Sequence, residues 1–539
     1  MVFEVVNLAK FSEVFASTTE LSSCALGGRV VSVSDEFFAE AFHLLLVEPA
    51  TSLKGQFGPN GALYSGWESR RHNPTFDWCI IKLGTSGTIV GFDIDTGHFN
   101  GNEAPQASVD GFYDPTSEDP DKNDARWTEI LPKVNLGPNS RHLFTVPPGS
   151  RATFVKLNMY PDGGIARFRV YGHVIPIVPE DPLKSFDLAH VYAGGRVVLT
   201  SDQHFGVGAN LILPGRGKNM GDGWETKRSR LPGHKDWAII QLSTPGYLEQ
   251  VEIDTNHFKG NFPDSCEVHA LHLDKEVDWR VGRAEDQDWK VVLPRIKLGP
   301  HRQHFFQLEN VAGVLYTHVK VTIHPDGGIK RVRVIGRRSR KEASEGVTTI
   351  EEESPKVKDI QLALTKDQSL KNSKVLPVLP LTPEAFAPFG QVIQAYGDHA
   401  AAPKGIKITP ANGGTADKFH KLSLLAQSYP VGAGATTGIS VYRCQPLTDI
   451  AMDGTCQLKE LERHAFTNQV FVPMGKGFGE ELTHPAEKYL VVVTKSGMDD
   501  KPDLNSLRAF TATTAQGIVY NTGIWHRPIT VLEKVCRST

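Results

Sequence analysis

Apolar and polar residues alternate with a period of two along much of the chain, which predicts strands rather than helices. Arg29-Val30-Val31-Ser32-Val33 and Thr88-Ile89-Val90-Gly91-Phe92-Asp93-Ile94-Asp95 are β-branched runs of this kind. In Ile165-Ala166-Arg167-Phe168-Arg169-Val170-Tyr171 the alternation sends Arg167 and Arg169 to one face and Phe168 and Val170 to the other. An exposed sheet face is expected for the two arginines. Just before them, Asp162-Gly163-Gly164 supplies residues that tolerate the positive φ of a hairpin turn. Nearer the C-terminus, strands are predicted at Gly438 to Tyr442, Val470 to Val472, Tyr489 to Thr494 and Gly517 to Tyr520. A short helix is predicted from Thr382 as N-cap, with Pro383 at its first position.

The first 340 residues contain a duplication. Gly27-Gly28-Arg29-Val30-Val31 returns as Gly194-Gly195-Arg196-Val197-Val198, and Gly66-Trp67-Glu68-Ser69-Arg70-Arg71 as Gly223-Trp224-Glu225-Thr226-Lys227-Arg228. Asp95-Thr96-Gly97-His98-Phe99-Asn100-Gly101-Asn102 returns as Asp254-Thr255-Asn256-His257-Phe258-Lys259-Gly260-Asn261, and Pro161-Asp162-Gly163-Gly164-Ile165 as Pro325-Asp326-Gly327-Gly328-Ile329. A period of about 160 residues means two whole domains, not a solenoid. The copies are placed at residues 1–180 and 181–338. A polar linker follows at 339–375, with the basic Arg337-Arg338-Ser339-Arg340-Lys341 at its start and the acidic Glu351-Glu352-Glu353 within it. Residues 376–539 form a third domain, again antiparallel β with one or two short helices. The fold class is mainly β, and each copy reads as an antiparallel sandwich or jelly roll.

Composition narrows the function. The 58 Lys and Arg against 61 Asp and Glu leave a net charge of −3, without the basic excess of a dedicated nucleic-acid binder. No apolar run approaches the roughly 20 residues of a membrane span. The six cysteines form no CxxC pair and no disulfide framework, so a reducing, cytoplasmic setting is expected. Exposed strand edges are compatible with a homo-oligomer.

The duplicated part resembles allantoicase, on the Gly66–Arg71, Asp95–Asn102 and Tyr160–Arg167 segments and their second copies. The resemblance implies two jelly-roll domains of the galactose-binding type and the reaction of allantoate with water to give ureidoglycolate and urea. The third domain resembles ureidoglycolate lyase, a cupin-like antiparallel β-barrel family. That resemblance rests on Gly413-Gly414-Thr415-Ala416, Glu462-Arg463-His464 with Gln469, Leu507-Arg508-Ala509-Phe510 and Tyr520-Asn521-Thr522-Gly523-Ile524-Trp525-His526-Arg527-Pro528. It implies conversion of ureidoglycolate to glyoxylate and urea. The two reactions are consecutive, so a bifunctional enzyme of allantoin (purine) catabolism is expected, with allantoate and ureidoglycolate as its small-molecule partners. Lyases of this type usually continue past the Trp-His-Pro segment into a further strand. Only Ile529 to Val535 remain before the last four residues, so a shortened barrel with an open edge is expected. Two other readings stay open: an allantoicase with an inert third domain, and an intracellular glycan-binding protein.

Allantoate is a carboxylate carrying two ureido groups, so its recognition calls for an Arg fork. Release of urea calls for a general acid and base. Asp95 with His98, and Asp254 with His257, are candidates as an Asp-oriented imidazole or as metal ligands; Glu68 and Glu225 are candidate acid/base groups. Arg70, Arg71 and Arg228, with Asn102 and Asn261, are candidate substrate binders; Lys227 replaces Arg70 in the second copy and would lose the bidentate fork. In the third domain His464 and His526 are the candidate proton carriers, with Glu462 a further option. Arg463 or Arg443 is a candidate for the carboxylate, and Gln469, Thr415 and Tyr520 are candidate substrate contacts. His and Asp suit a divalent ion such as manganese in the first part, but no HExxH or HxH spacing marks a site. No residue is assigned as a metal ligand, and a metal-free lyase is expected.

Overall fold

The computed structural model describes residues 3–15, 17–275, 279, 287–339, 375–428, 438–442, 444–448, 450–451, 454–474, 487–497 and 501–532. The expected linker, apart from its end residues, and Arg443 lie outside the described residues. Strands account for 43% of the residues and helices for 8%, so the protein is mainly β. The chain divides into two compact units. One comprises Met1–Glu249, Glu267–Pro294 and Asn310–Ser339; the other comprises Gln250–Cys266, Arg295–Glu309 and the described residues of Arg340–Thr539.

The first repeat is organised by one strand of 19 residues, Asp77–Asp95. Its first half pairs antiparallel with Arg29–Val33 and Arg151–Tyr160, its second half with Arg141–Thr145 and Arg167–Val174. Register breaks between Ala152 and Phe154, and between Tyr171 and Gly172, mark bulges, which increase local twist. Cys79, Ile81, Leu83, Ile89, Phe92 and Ile94 join Leu157, Met159, Phe168 and Val170 in one buried cluster around Trp67. Each fully buried side chain of this size contributes roughly 1.5–3 kcal/mol, so the cluster fixes the sheet on which the loops are mounted.

The second repeat copies the plan. Asp236–Asp254 is again 19 residues long and pairs with Arg196–Thr200, Leu315–His324 and Gln303–Gln307. Trp224–Glu225 pairs with Gly328–Ile329 just as Trp67–Glu68 pairs with Gly164–Ile165. The hairpin glycine has a conformational reason in both copies, a positive φ. Gly163 has φ +137, and a Cβ there would lie 2.7 Å from the Glu103 carbonyl oxygen; Gly327 has φ +133.

The third domain contains two main sheets. In one, Val378–Pro380, Arg508–Thr513, Lys488–Thr494, Trp525–His526 and Glu462–Arg463 lie in that order. In the other, Gly517–Tyr520 lies between Gly390–Ile393 and Gln469–Phe471. Phe386 packs against Phe510 and Tyr520, with centroids 5.9 and 6.1 Å apart. The helix Pro383–Phe386 begins as expected, with the Thr382 hydroxyl accepting from Ala385 N at 3.3 Å.

Three expectations are corrected. Residues 438–442 take no regular structure. The segment after the Trp-His-Arg-Pro run does form a strand: Thr530–Leu532 pairs antiparallel with Lys488–Leu490, so that strand has a partner on this side. Arg167 is not on an exposed face but only 2% exposed. All five of its N–H donors meet acceptors: Glu48 O, Pro49 O, Ser65 O, Ser65 Oγ and Ala166 O, at 2.7–3.2 Å. A buried guanidinium persists because every donor is satisfied.

Candidate functional site

Glu68 follows Trp67 in a two-residue strand, so the two side chains take opposite sides. Trp67 enters the core and donates its indole N–H to the Asp35 carbonyl oxygen at 2.8 Å. Glu68 is also buried, 7% exposed. Asn102 Nδ2 donates to its Oε1 at 2.9 Å. Burial pushes the Glu68 carboxyl above the usual range, against the opposing pull of the Asn102 hydrogen bond and the Arg71 charge. Arg71 donates to Asp162 Oδ1 at 3.1 Å and to the Gly101 carbonyl oxygen at 3.2 Å. Asp162 also accepts from Asn73 N at 3.0 Å. Folding therefore gathers Glu68, Asn102 and Arg71 with Asp162.

Other candidates have structural partners. Arg70 donates to Asp35 from its backbone N at 2.8 Å and grips it with Nε and Nη2, each at 2.7 Å; against the opposing pull of partial burial, these backbone and side-chain bonds hold the Asp35 carboxyl below its ordinary value. Asp95 does not orient His98. Its Oδ1 accepts from Gly97 N at 2.7 Å, closing an Asx turn, and the His98 ring nitrogen Nε2 faces the Ala50 carbonyl oxygen at 3.2 Å. His98 has φ 68, and its backbone N donates to Asn139 Oδ1 at 2.8 Å. The second copy repeats the turn: Asp254 Oδ1 accepts from Asn256 N at 2.9 Å, His257 also has φ 68, and its N donates to His301 Nδ1 at 2.8 Å. The Asp/His recurrence thus marks a duplicated turn. Glu225 is half-buried, Arg228 pairs with Asp326 at 2.8 Å, and Asn261 lies in the loop after His257. Lys227, which stands in for Arg70, donates its backbone N to Asp202 at 2.8 Å. Asp35 and Asp162, with their copies Asp202 and Asp326, are partners of these segments that residue type alone does not mark, although each returns at its place in the duplication.

In the third domain Glu462 pairs across the ladder with His526. His526 is 1% exposed, stacks on Tyr520 at 4.0 Å and lies 5.7 Å from the His464 ring. Its Nδ1 is 3.0 Å from the Ile524 carbonyl oxygen. A carbonyl can only accept, so Nδ1 carries the proton and Nε2 presents its lone pair to Glu462 Oε1 at 3.4 Å. Two facing acceptors call for a proton or a cation between them. Burial lowers the His526 pKa, which favours the neutral ring. Gln469 Oε1 and the Tyr520 hydroxyl are buried without a hydrogen-bond partner among the described residues. Arg463, between Glu462 and His464, points away from this group; its guanidinium lies 5.0 Å over the Trp525 ring. Thr415 is exposed in the 412–415 turn, donating its hydroxyl to Asn412 O at 2.9 Å. One metal-capable trio occurs among the described residues: ligand atoms of Glu462, His464 and His526 lie within 4.8 Å of one another. No ligand set was assigned from the sequence, so this trio is a finding of the fold.

Fold and site define a class: two copies of a mainly β domain that sets a carboxyl beside a guanidinium, then a β domain that gathers imidazoles. The allantoicase repeat model matches residues 19–175 and 186–339, and the ureidoglycolate lyase model matches 373–538. A probable allantoicase of Schizosaccharomyces pombe is 49% identical over 330 residues, covering 60% of this chain and 94% of its own length. The allantoicase of Saccharomyces cerevisiae is 44% identical, covering 62% and 99%. The crystal structure of the Saccharomyces cerevisiae allantoicase superposes with a TM-score of 0.55 at 41% identity, over 62% of this chain and 100% of that one. The chain belongs to the allantoicase family and carries a ureidoglycolate lyase domain after the repeats.

Proposed function

We infer that this protein is a bifunctional enzyme of allantoin degradation, converting allantoate to ureidoglycolate and urea and then ureidoglycolate to glyoxylate and urea. The observation that carries this is the adjacency, in one chain, of two families with consecutive reactions. In the first reaction Arg71, with donors left after Asp162 and Gly101, holds the substrate carboxylate. Glu68, whose burial favours its protonated form, gives its proton to the departing urea nitrogen. As a carboxylate it then takes a proton from the attacking water, so the cycle balances. In the second reaction one imidazole of His464 and His526 removes the hydroxyl proton of the hemiaminal, and the other protonates the leaving urea nitrogen. Gln469 Oε1 and the Tyr520 hydroxyl would accept from and donate to the ureido group.

The architecture proposed for the repeats is the jelly roll of the galactose-binding type, and for the lyase domain the cupin-like barrel. The exposed strand edges support a homo-oligomer. No helix among the described residues is long and apolar enough to cross a membrane; the absence of a disulfide framework in the sequence supports a cytoplasmic setting. A second reading of the lyase site rests on the Glu462, His464 and His526 trio: two imidazoles and a carboxylate suit a divalent ion. For the repeats manganese is the ion to test.

The test is product stoichiometry from allantoate alone, corrected for spontaneous ureidoglycolate decay, before and after dialysis against a chelator. Two urea and one glyoxylate per allantoate are expected. One urea with persisting ureidoglycolate would mean an inert third domain, and no urea with or without added manganese would leave a binding protein.

A further inference from the structure

The two repeats share a plan but differ beside the key carboxyl. Position 166 of the first repeat is Ala, buried next to Gly66. Its copy is Lys330, whose side chain is fully buried and whose amine is brought down to about 7 by that burial and by the neighbouring Arg331. Its Nζ donates to the Asn219 carbonyl oxygen and meets the Asp222 carboxyl. Asp222 also accepts from Lys218 N at 2.9 Å and closes the capping box of the Met220–Asp222 turn with Asn219. Arg331 Nη1 donates to the Asp222 carbonyl oxygen at 2.6 Å, and Arg333 Nη2 donates to Leu213 O and Gly215 O at 2.6 and 3.0 Å. Gly217, at φ +70, leaves room for this packing: a Cβ there would lie 2.2 Å from Lys330 Cε. The whole segment from 213 to 222 is thus fastened from beneath.

The first repeat has no such lock. Thirty-one positions separate Asp35 from Gly66, but only 21 separate Asp202 from Gly223. The extra length carries a small hairpin, Phe57–Gly58 with Gly61–Ala62, and is fastened near its two ends by Arg167, at Glu48, Pro49 and Ser65, and by Arg169 at Val47. The burial of the carboxyl differs in the same sense. Glu68 is buried against Asn102, whereas Glu225 is half-buried.

We propose that the repeats divide their labour: allantoate is processed at Glu68 in the first repeat, while the Lys330–Asp222 pair holds the second repeat as a fixed structural copy. This rests on the allantoicase reading of Glu68, and the test separates the two. In the full-length protein, Glu68→Gln is expected to slow allantoate consumption about 100-fold or more, the usual scale for a lost acid/base group, and Glu225→Gln less than tenfold. Lys330→Met, or Asp222→Asn if the first variant folds poorly, is expected to keep activity within about twofold. Either is expected to open the exposed Arg216 and Lys218 to trypsin at least tenfold faster. Equal losses from Glu68→Gln and Glu225→Gln would overturn the division of labour while sparing the enzyme reading. Unchanged trypsin cleavage, or a loss of activity beyond tenfold in a folded Lys330→Met protein, would overturn the lock. Full activity of Glu68→Gln would overturn the role given to Glu68 and the inference with it.

Discussion

Replacing Asn102 with Ala isolates the device that tunes Glu68. The Asn102 Nδ2 donor, 2.9 Å from Oε1, favours the charged carboxylate inside a site where burial disfavours it. A hydrogen bond to a charged group contributes roughly 1.5–3 kcal/mol. At about 1.36 kcal/mol per pH unit, its loss raises the Glu68 pKa by about one to two units. If Glu68 must be protonated to release urea, the alkaline limb of the rate of allantoate consumption moves up by that amount. Stability gives a second readout with a definite sign. The folded-state pKa of Glu68 is raised, so its contribution is fully present below the unfolded value and is lost as pH rises through the folded value. Asn102→Ala lifts the folded value further. The variant therefore loses more stability than the parent as pH rises from the ordinary carboxylate range through the folded value, by roughly the same 1.5–3 kcal/mol in guanidinium unfolding. An alkaline limb that stays in place would refute the general-acid role. A stability difference independent of pH would refute the coupling between Asn102 and the carboxylate.

Three further outcomes are expected. His526→Gln stops accelerated glyoxylate formation, by about 100-fold or more, while the first urea is still released at the parent rate; loss of both reactions would show that the sites are not separate. Arg167→Met leaves four acceptors of the 48–65 loop and the Ala166 carbonyl without their donor and costs about 3 kcal/mol or more in unfolding free energy, and a loss below about 1 kcal/mol would contradict the buried guanidinium. Thr382→Ala removes the N-cap of Pro383–Phe386 and costs about 0.5–2 kcal/mol, read as a shift in the unfolding midpoint of the third domain.

Local periodicity and the duplication carried much of the architecture, because a period of two states which residues share a face and a recurring motif states which segments fold alike. They could not state what lies above a face. Arg167 and Arg169 do share one, but the loop from Glu48 to Ser65 covers Arg167, and that covering is a contact across about 100 residues. Asp95 and His98 misled for the opposite reason. An Asp two residues before Gly97 already has a near partner in that backbone N–H, and this local bond takes the carboxylate before any imidazole can. The lyase site shows a signal passed over. A demand for HxH excluded a metal-capable strand, yet Glu462 and His464 are also two apart and so share a face, while Arg463 between them is sent to the other side. His526 is a candidate from the sequence as well, but its meeting with these two is not legible there, because it comes through the non-local pairing of Glu462–Arg463 with Trp525–His526. The same logic applies to Glu68: its motif was plain in the sequence, but its burial depends on Gly164–Ile165 and Asn102, which reach it from other parts of the repeat. The chemistry of this chain therefore lies in pairings between short motifs, each legible by itself, whose meeting is decided by the sheets that carry them.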